Sequence, residues 1–473
     1  MDASPSRFKE QAKAALTDEV LQTALLRAKS GFINKRADAI QLVEDFEYLK
    51  QRAQNAKQTA LNSLPEYLEQ FEKNVIASGG VVHWAETPQQ LNEIVFNICK
   101  IHDAKLITKG KSMISEETEL NKYLESRGIN IAETDLGEYI IQLADEKPSH
   151  IIAPAVHKTR QEVAKLFKAN HPLGSRDLEE IRTLVDEARK MLRKQFLNAD
   201  VGITGANILV ADTGSIGLVT NEGNGDLTAT LPKVHIVTSS IEKVVADMDA
   251  AADILNVLGR SATGQSMSTY TSFFNGPKRS EDLDGPEEFH VVLLDNHRSD
   301  ILNSDFKEML RCIKCGACLN HCPIYGSVGG HAYGWVYPGP MGSVLTPLMH
   351  GTVASLPLPN ASTFCGRCEE VCPMGIPLPD LLRKLRDEQH HQKLNSRFSR
   401  LILVSYGWLM QHPRLFNGVN TTIRRCLKIL TSKLLSRFHL LNHWLTGNTG
   451  RKLPEPQSSK SFLQQWHGSK HDD

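Results

Sequence analysis

No stretch of this chain approaches the roughly 18 uninterrupted apolar residues needed to cross a bilayer; the longest candidate is LILVSYGWLM at 401–410. The N-terminal residues MDASPSRFKEQAKAALTDEV are charged throughout and lack an apolar h-region, so export by a secretory signal is not expected. An excess of one charge is missing too. The 54 basic side chains balance 54 acidic ones, and nothing in the totals points to nucleic acid or another acidic polymer. A soluble or peripheral protein is expected, with the cytoplasm as its default location. No Ser/His/Asp or paired-carboxylate signature is present, so catalytic residues are not assigned.

Cysteine is scarce but concentrated: of nine in 473 residues, seven lie between Cys312 and Cys372. Such crowding reads as metal ligands in a reducing compartment rather than as a disulfide framework. The first run, Cys312-Ile-Lys-Cys315-Gly-Ala-Cys318-Leu-Asn-His-Cys322-Pro323, has the C-x2-C-x2-C-x3-C-P spacing of bacterial two-cluster ferredoxins. Three thiolates two residues apart can wrap three irons of a cubane, and Gly316 avoids a side chain against the inorganic core. The fourth cysteine of such a run ligates the other cluster, so a partner run is required. Cys365-Gly-Arg-Cys368-Glu-Glu-Val-Cys372-Pro373 supplies it, with Ser362 at the register of the absent first cysteine. Crossed ligation then assigns Cys312, Cys315, Cys318 and Cys372 to one [4Fe–4S] cluster, and Cys322, Cys365 and Cys368 to a second with one iron not bound by cysteine. That iron is either absent, giving [3Fe–4S], or bound by Ser362, solvent, substrate or a partner. Zinc sites usually present two separated C-x2-C knuckles and need no C-P ending. Cys99 and Cys426 read as ordinary thiols.

At this length two or three domains are expected. Residues 1–75 read as helical, with Ala15, Leu16, Val20, Leu21, Leu25 and Leu26 at helix-like spacing. Over 76–300, β-branched runs alternate with amphipathic segments, the pattern of an α/β domain with a largely parallel sheet. The strand candidates are GGVVHWA, AKLITKG, INIAET, SHIIAPAV, ILVAD, IGLVT, VHIVTS and FHVVLLDN. Thr87-Pro88-Gln89-Gln90 predicts a capping box at a helix start. The short turn at Asp212-Thr213-Gly214-Ser215 makes its flanking strands antiparallel, and the sheet therefore mixed. A mainly α-helical two-cluster ferredoxin-type domain is expected over 301–390, and a basic helical tail over 391–473. Between Glu388 and Glu455 that tail has eleven Lys and Arg and no carboxylate. Arg424, Arg425, Lys428, Lys433 and Arg437 accompany Ile423, Leu427, Leu430, Leu434 and Leu435, a pattern suited to peripheral membrane contact or to an acidic partner, although Pro413 and Asn417-Gly418 interrupt any single long helix.

Gly110-Lys111-Ser112 resembles the end of a P-loop, but the earlier glycine would fall at Lys105; the turn can still hold an anion. Gly223-Asn224-Gly225 falls short of a dinucleotide fingerprint and reads as a turn. His331 and Tyr333, between the cysteine runs, read first as structural or local polar groups, with approach to the open cluster as the lesser alternative.

The chain resembles the lactate utilization iron–sulfur protein B family over most of its length. The resemblance is carried by TGANILVADTGSIGLVTNEGNGDLTATLPKVHIV at 204–237, TSFFNGP at 271–277, RCIKCGACLNHCPIYGSVGGHAYGWVYPGPMGSVLTPL at 311–348 and FCGRCEEVCPMGIPLPDLLRKLR at 364–386. It implies an α/β domain similar in fold to the sugar-phosphate isomerase and CoA-transferase superfamily. It also implies two [4Fe–4S] clusters on the same seven cysteines, and a role with proteins A and C in oxidising L-lactate to pyruvate. An electron-transfer subunit relaying electrons to a downstream acceptor is the expected function. The alternative is a hydroxy-acid oxidoreductase that binds substrate at the open iron of the three-cysteine cluster.

Overall fold

The computed structural model describes residues 4–174, 176–430 and 466. They fall into two compact units, Met1–Gln389 and His390–Asp473.

The first unit opens with four long helices, Phe8–Thr17, Glu19–Gln41, Phe46–Asn62 and Leu64–Ala77, as the apolar spacing predicted. Asp18 and Asp45 fix two of the starts by accepting the N–H of Leu21 at 3.0 Å and of Tyr48 at 2.9 Å. Among the described residues ten strands follow: β1 (Val81–Ala85), β2 (Leu106–Lys109), β3 (Asn130–Glu133), β4 (Val201–Gly205), β5 (Ile208–Val210), β6 (Ser215–Thr220), β7 (Val234–Ser240), β8 (Val244–Val245), β9 (Tyr270–Phe274) and β10 (Glu288–Leu294). Six form one wholly parallel sheet in the order β1-β10-β7-β4-β2-β3. Its central strands are buried along their length because both faces are covered. Leu91, Val95, Ile98 and Leu124 pack on one face. Leu64, Leu68, Phe71 and Val75 pack on the other.

The antiparallel pair expected around Asp212–Ser215 is present, with Val210 opposite Ser215. It belongs not to a single mixed sheet but to a second, smaller one, ordered β8-β5-β6-β9. SHIIAPAV forms no strand. His150 Nδ1 accepts the N–H groups of Ile152 and Ala153 at 3.0 and 3.1 Å, a local turn that takes those donors away from any ladder. Helix Pro88–Ile101 starts as predicted, with Thr87 Oγ1 accepting from Gln90 N, but the Gln90 side chain reaches back to Glu86 N rather than to Thr87 N. A helix, Asn224–Thr230, follows Gly223 where only a turn was expected.

The second unit carries helices Arg397–Met410 and Pro413–Leu430. Pro413 begins a helix as expected of its fixed φ, but Asn417-Gly418 lies inside one, since a single glycine costs a helix only about 1 kcal/mol. The predicted continuation through Lys433, Leu434, Leu435 and Arg437 lies outside the described residues. Leu401, Leu403 and Trp408 are exposed, and no helix of the described residues is long and apolar enough to cross a membrane.

Candidate metal centre

The two cysteine runs repeat one backbone. Lys314 and Phe364, each preceding the second cysteine position, both take positive φ, 58° and 53°. The next glycines follow suit at 75° for Gly316 and 80° for Gly366. Each glycine caps a four-residue helix, Ala317–Asn320 or Arg367–Glu370, that carries the third cysteine and delivers the fourth to its proline. Glycine is needed here for its left-handed conformation. At Gly316 a Cβ would also sit 3.3 Å from His150 Cε1 and Ile152 Cγ1, whereas at Gly366 it would meet nothing within 4 Å. Ser362 occupies the register of Cys312, its Oγ accepting the N–H of Phe364 at 3.1 Å.

The folding of this repeat gathers the thiols into two sets. Cys312, Cys315, Cys318 and Cys372 line one small cavity closed by Ile151, Met309, Met341, Met374 and Ile376. Burial, then the neighbouring Cys312, Cys315 and Cys372, pushes the Cys318 thiol well above the usual range. In the other set burial, and next Cys322, pushes Cys368 up to about 12, while Cys322 itself is raised by burial and by Cys365. Cys365 is exposed, and the N–H of Arg367 and the Thr363 side chain lower its pKa. Buried thiols packed against one another cannot all ionise without a compensating cation. An all-sulfur donor set suits the soft irons of an Fe–S cluster, and the residues present fit that group.

The N-terminal helices brace this region, which sequence reasoning missed because the contacts span over 300 positions. Arg36 Nη2 donates to Val371 O at 3.0 Å, Gln54 to Pro373 O at 3.1 Å and Gln22 to Ser327 O at 2.8 Å. Tyr333 lies buried beside Phe8 and within the field of Cys322. His331 turns elsewhere, bonding Lys147 O at 2.7 Å against the His157 ring. Cys99 is buried, and burial raises its thiol to about 12, so it is inert. Cys426 is exposed.

A second, larger cavity of about 370 Å³ opens in the α/β region and reaches Cys312, Ile313 and Lys314 of the first run. The Gly110–Ser112 turn, Thr204–Ile208, Thr220–Glu222 and Asn224-Gly225 line it, with Lys57, Lys243 and Tyr337. Burial lowers Lys57 and Lys243 to about 8, partly offset by Glu242. Behind it lies a buried ionic network. Arg298 donates to both oxygens of Glu117 at 3.0 and 2.8 Å and pairs with Glu242 at 2.9 Å, while Tyr337 Oη donates to Glu117 at 2.6 Å. Burial alone would raise Glu117, but Arg298, Tyr337 and Asn296 hold it below the usual carboxylate range. Tyr337 thereby ties the segment between the cysteine runs to the α/β core.

Residues 68–294 match the family described as LUD domain, and residues 308–376 match the 4Fe-4S dicluster domain. Lactate utilization protein B of Bacillus licheniformis is 41% identical over 418 residues, covering 88% of this chain and 87% of its own. Lactate utilization protein B of Bacillus subtilis is 42% identical over 387 residues, covering 82% and 80%. A solved DUF162 family protein from Deinococcus radiodurans overlaps 49% of this chain and 98% of its own at TM-score 0.28 and 12% identity, too slight a likeness to carry an argument.

Proposed function

The chain belongs to the lactate utilization protein B family, and from that premise we propose that it is the iron–sulfur electron-transfer subunit of a multi-subunit system oxidising L-lactate to pyruvate with lactate utilization proteins A and C. Family membership and the dicluster domain support a role in lactate utilization with iron–sulfur electron transfer. The observation that carries the finer reading is the sorting of seven cysteines into a set of four and a set of three.

Cys312, Cys315, Cys318 and Cys372 would hold one [4Fe–4S] cluster, and Cys322, Cys365 and Cys368 a second with an open iron or in [3Fe–4S] form; two one-electron centres together match the two electrons lactate gives up. The protein's part is to hold and insulate. The apolar side chains around the four-cysteine set exclude water. Tyr325 N–H points at Cys322 Sγ at 3.5 Å, and Arg36 places a half-buried positive charge in the field of Cys315 and Cys372. Exposure of Cys365 brings one edge of the three-cysteine set to the surface, where a partner can be reached, while Cys322 and Cys368 stay buried.

Cys318→Ser is expected to abolish the low-temperature electron paramagnetic resonance signal of the four-cysteine cluster alone, and Cys365→Ser that of the other. Both spectra surviving Cys318→Ser would overturn the crossed assignment. Failure of L-lactate to reduce either cluster with A and C present would sink the relay. A change in the second cluster's spectrum on adding L-lactate to this chain alone would instead place substrate on the open iron.

A further inference from the structure

The lining of the larger cavity carries four lysines against two carboxylates, and Glu242 behind it balances them only in part. Four lysines from four distant segments converge on it: Lys57 from helix Phe46–Asn62, Lys111 from the turn after β2, Lys243 after β7 and Lys314 from the first cysteine run. Their ammonium groups are held by neutral partners. Lys57 donates to Glu242 O, Lys111 to Ile152 O at 2.7 Å and Lys243 to Ala206 O at 2.6 Å, while Lys314 Nζ lies 4.5 Å from the centre of the Tyr337 ring. Among the described residues none of the four forms an ion pair with a carboxylate.

Each ammonium has three N–H donors, so each lysine that spends one on a carbonyl keeps two. The carboxylates lining the cavity are Asp135 and Glu222. Asp135 is committed to the N–H groups of Gly137 and Glu138 at 3.0 and 3.2 Å. Glu242 and Glu117 lie behind the wall and are engaged by Arg298. Glu242, already shared with Arg298, is the counter-charge that Lys57, Lys243 and Lys314 divide among them, and Glu222 lies in the field of Lys111, so cations outnumber carboxylates here and an anion in the partly enclosed space offsets the excess. Neutral polar groups complete the lining: Asn207 spends its carbonyl on Val219 N at 2.9 Å, which leaves its amide N–H groups for a ligand hydroxyl or carbonyl. The volume suits a small molecule.

We propose that this cavity binds a small organic acid of the hydroxy- or keto-carboxylate class, its carboxylate on the lysines, against the loop that carries Cys312. The identity of the acid rests on the lactate reading above; the anion site itself does not. Because Cys312 lines both the cavity and the four-cysteine set, occupancy and reduction of that cluster are linked, and each shifts the other by the same factor.

The test is calorimetric titration of the anaerobically reconstituted holoprotein with L-lactate, pyruvate, D-lactate and inorganic phosphate at fixed ionic strength, beside redox titration of the four-cysteine cluster with and without each. L-Lactate or pyruvate should bind, and the cluster midpoint should move on binding. Lys111→Met and Lys243→Met should each weaken binding about tenfold or more while retaining iron and both spectra, since a charge-assisted hydrogen bond contributes about 1.5–3 kcal/mol. Lys105→Met, which removes an exposed lysine outside the cavity, should leave binding intact. Absence of binding by either carboxylate, or unaltered affinity in both lysine variants, would overturn the proposal and leave the lysines as counter-charge to the cluster. Phosphate binding with exclusion of the carboxylates would overturn the ligand class. Reversible reduction of the cluster in ligand-free protein reports on the relay separately, so the two readings can fail independently.

Discussion

Arg298 is fully buried and holds Glu117 and Glu242 together. Removing one partner of a buried ionic group strands the other charge, so Arg298→Met is expected to cost about 3–5 kcal/mol. Tyr337→Phe leaves Glu117 its Arg298 and Asn296 donors and should cost about 1–3 kcal/mol. Chemical denaturation of the two variants checks the order. His235, in β7, offers a pH-dependent counterpart. Burial, with a smaller contribution from His290, lowers it to about 3. The unfolded chain takes up this proton below about pH 6.5 and the folded chain does not, so the associated stability is present above that pH and falls by up to about 1.4 kcal/mol per unit below it. His235→Gln should flatten the fall in denaturation midpoint between pH 7 and 5.5; a slope identical to that of the parent would refute this.

Close approach dominates among the elements. Helix Asn224–Thr230 crosses β4 so tightly that a Cβ on Gly202 would lie 1.9 Å from Thr228 O. Backbone cannot yield as a flexible side chain does, so Gly202→Ala should abolish soluble expression, whereas Gly366→Ala, with open space around it, should cost only the roughly 1–2 kcal/mol of a left-handed alanine. β-Branched runs made most strands legible, because a strand covered on both faces reads as continuous apolar sequence. β4 was missed because VGITG carries two glycines, whose value lies in this crossing and not in strand propensity. SHIIAPAV was misread because Ile151 is apolar for a different reason: it closes the four-cysteine cavity.

Considered as a whole molecule, Met1–Gln389 is one compact unit in which N-terminal helices, sheets and cysteine region share a core. The seven cysteines were legible because their spacing is local and its chemistry depends on little else. The lysine-lined cavity was not, because its cations come from segments that only the fold brings together. The brace supplied by Arg36, Gln54 and Gln22 is equally long-range. Arg36→Met removes a hydrogen bond to Val371 O and a charge beside two thiols. It should therefore lower iron retention during chelator challenge, with the four-cysteine signal decaying faster than in the parent protein.

Exposure of Cys365 has a chemical consequence as well as a geometric one. Were Cys322, Cys365 and Cys368 to hold the proposed cluster, its exposed corner would be the point at which dioxygen or peroxide makes first contact, and air would dismantle the two proposed centres in sequence. The proposed relay would then fail at its exposed centre while the four-cysteine set stayed sheltered.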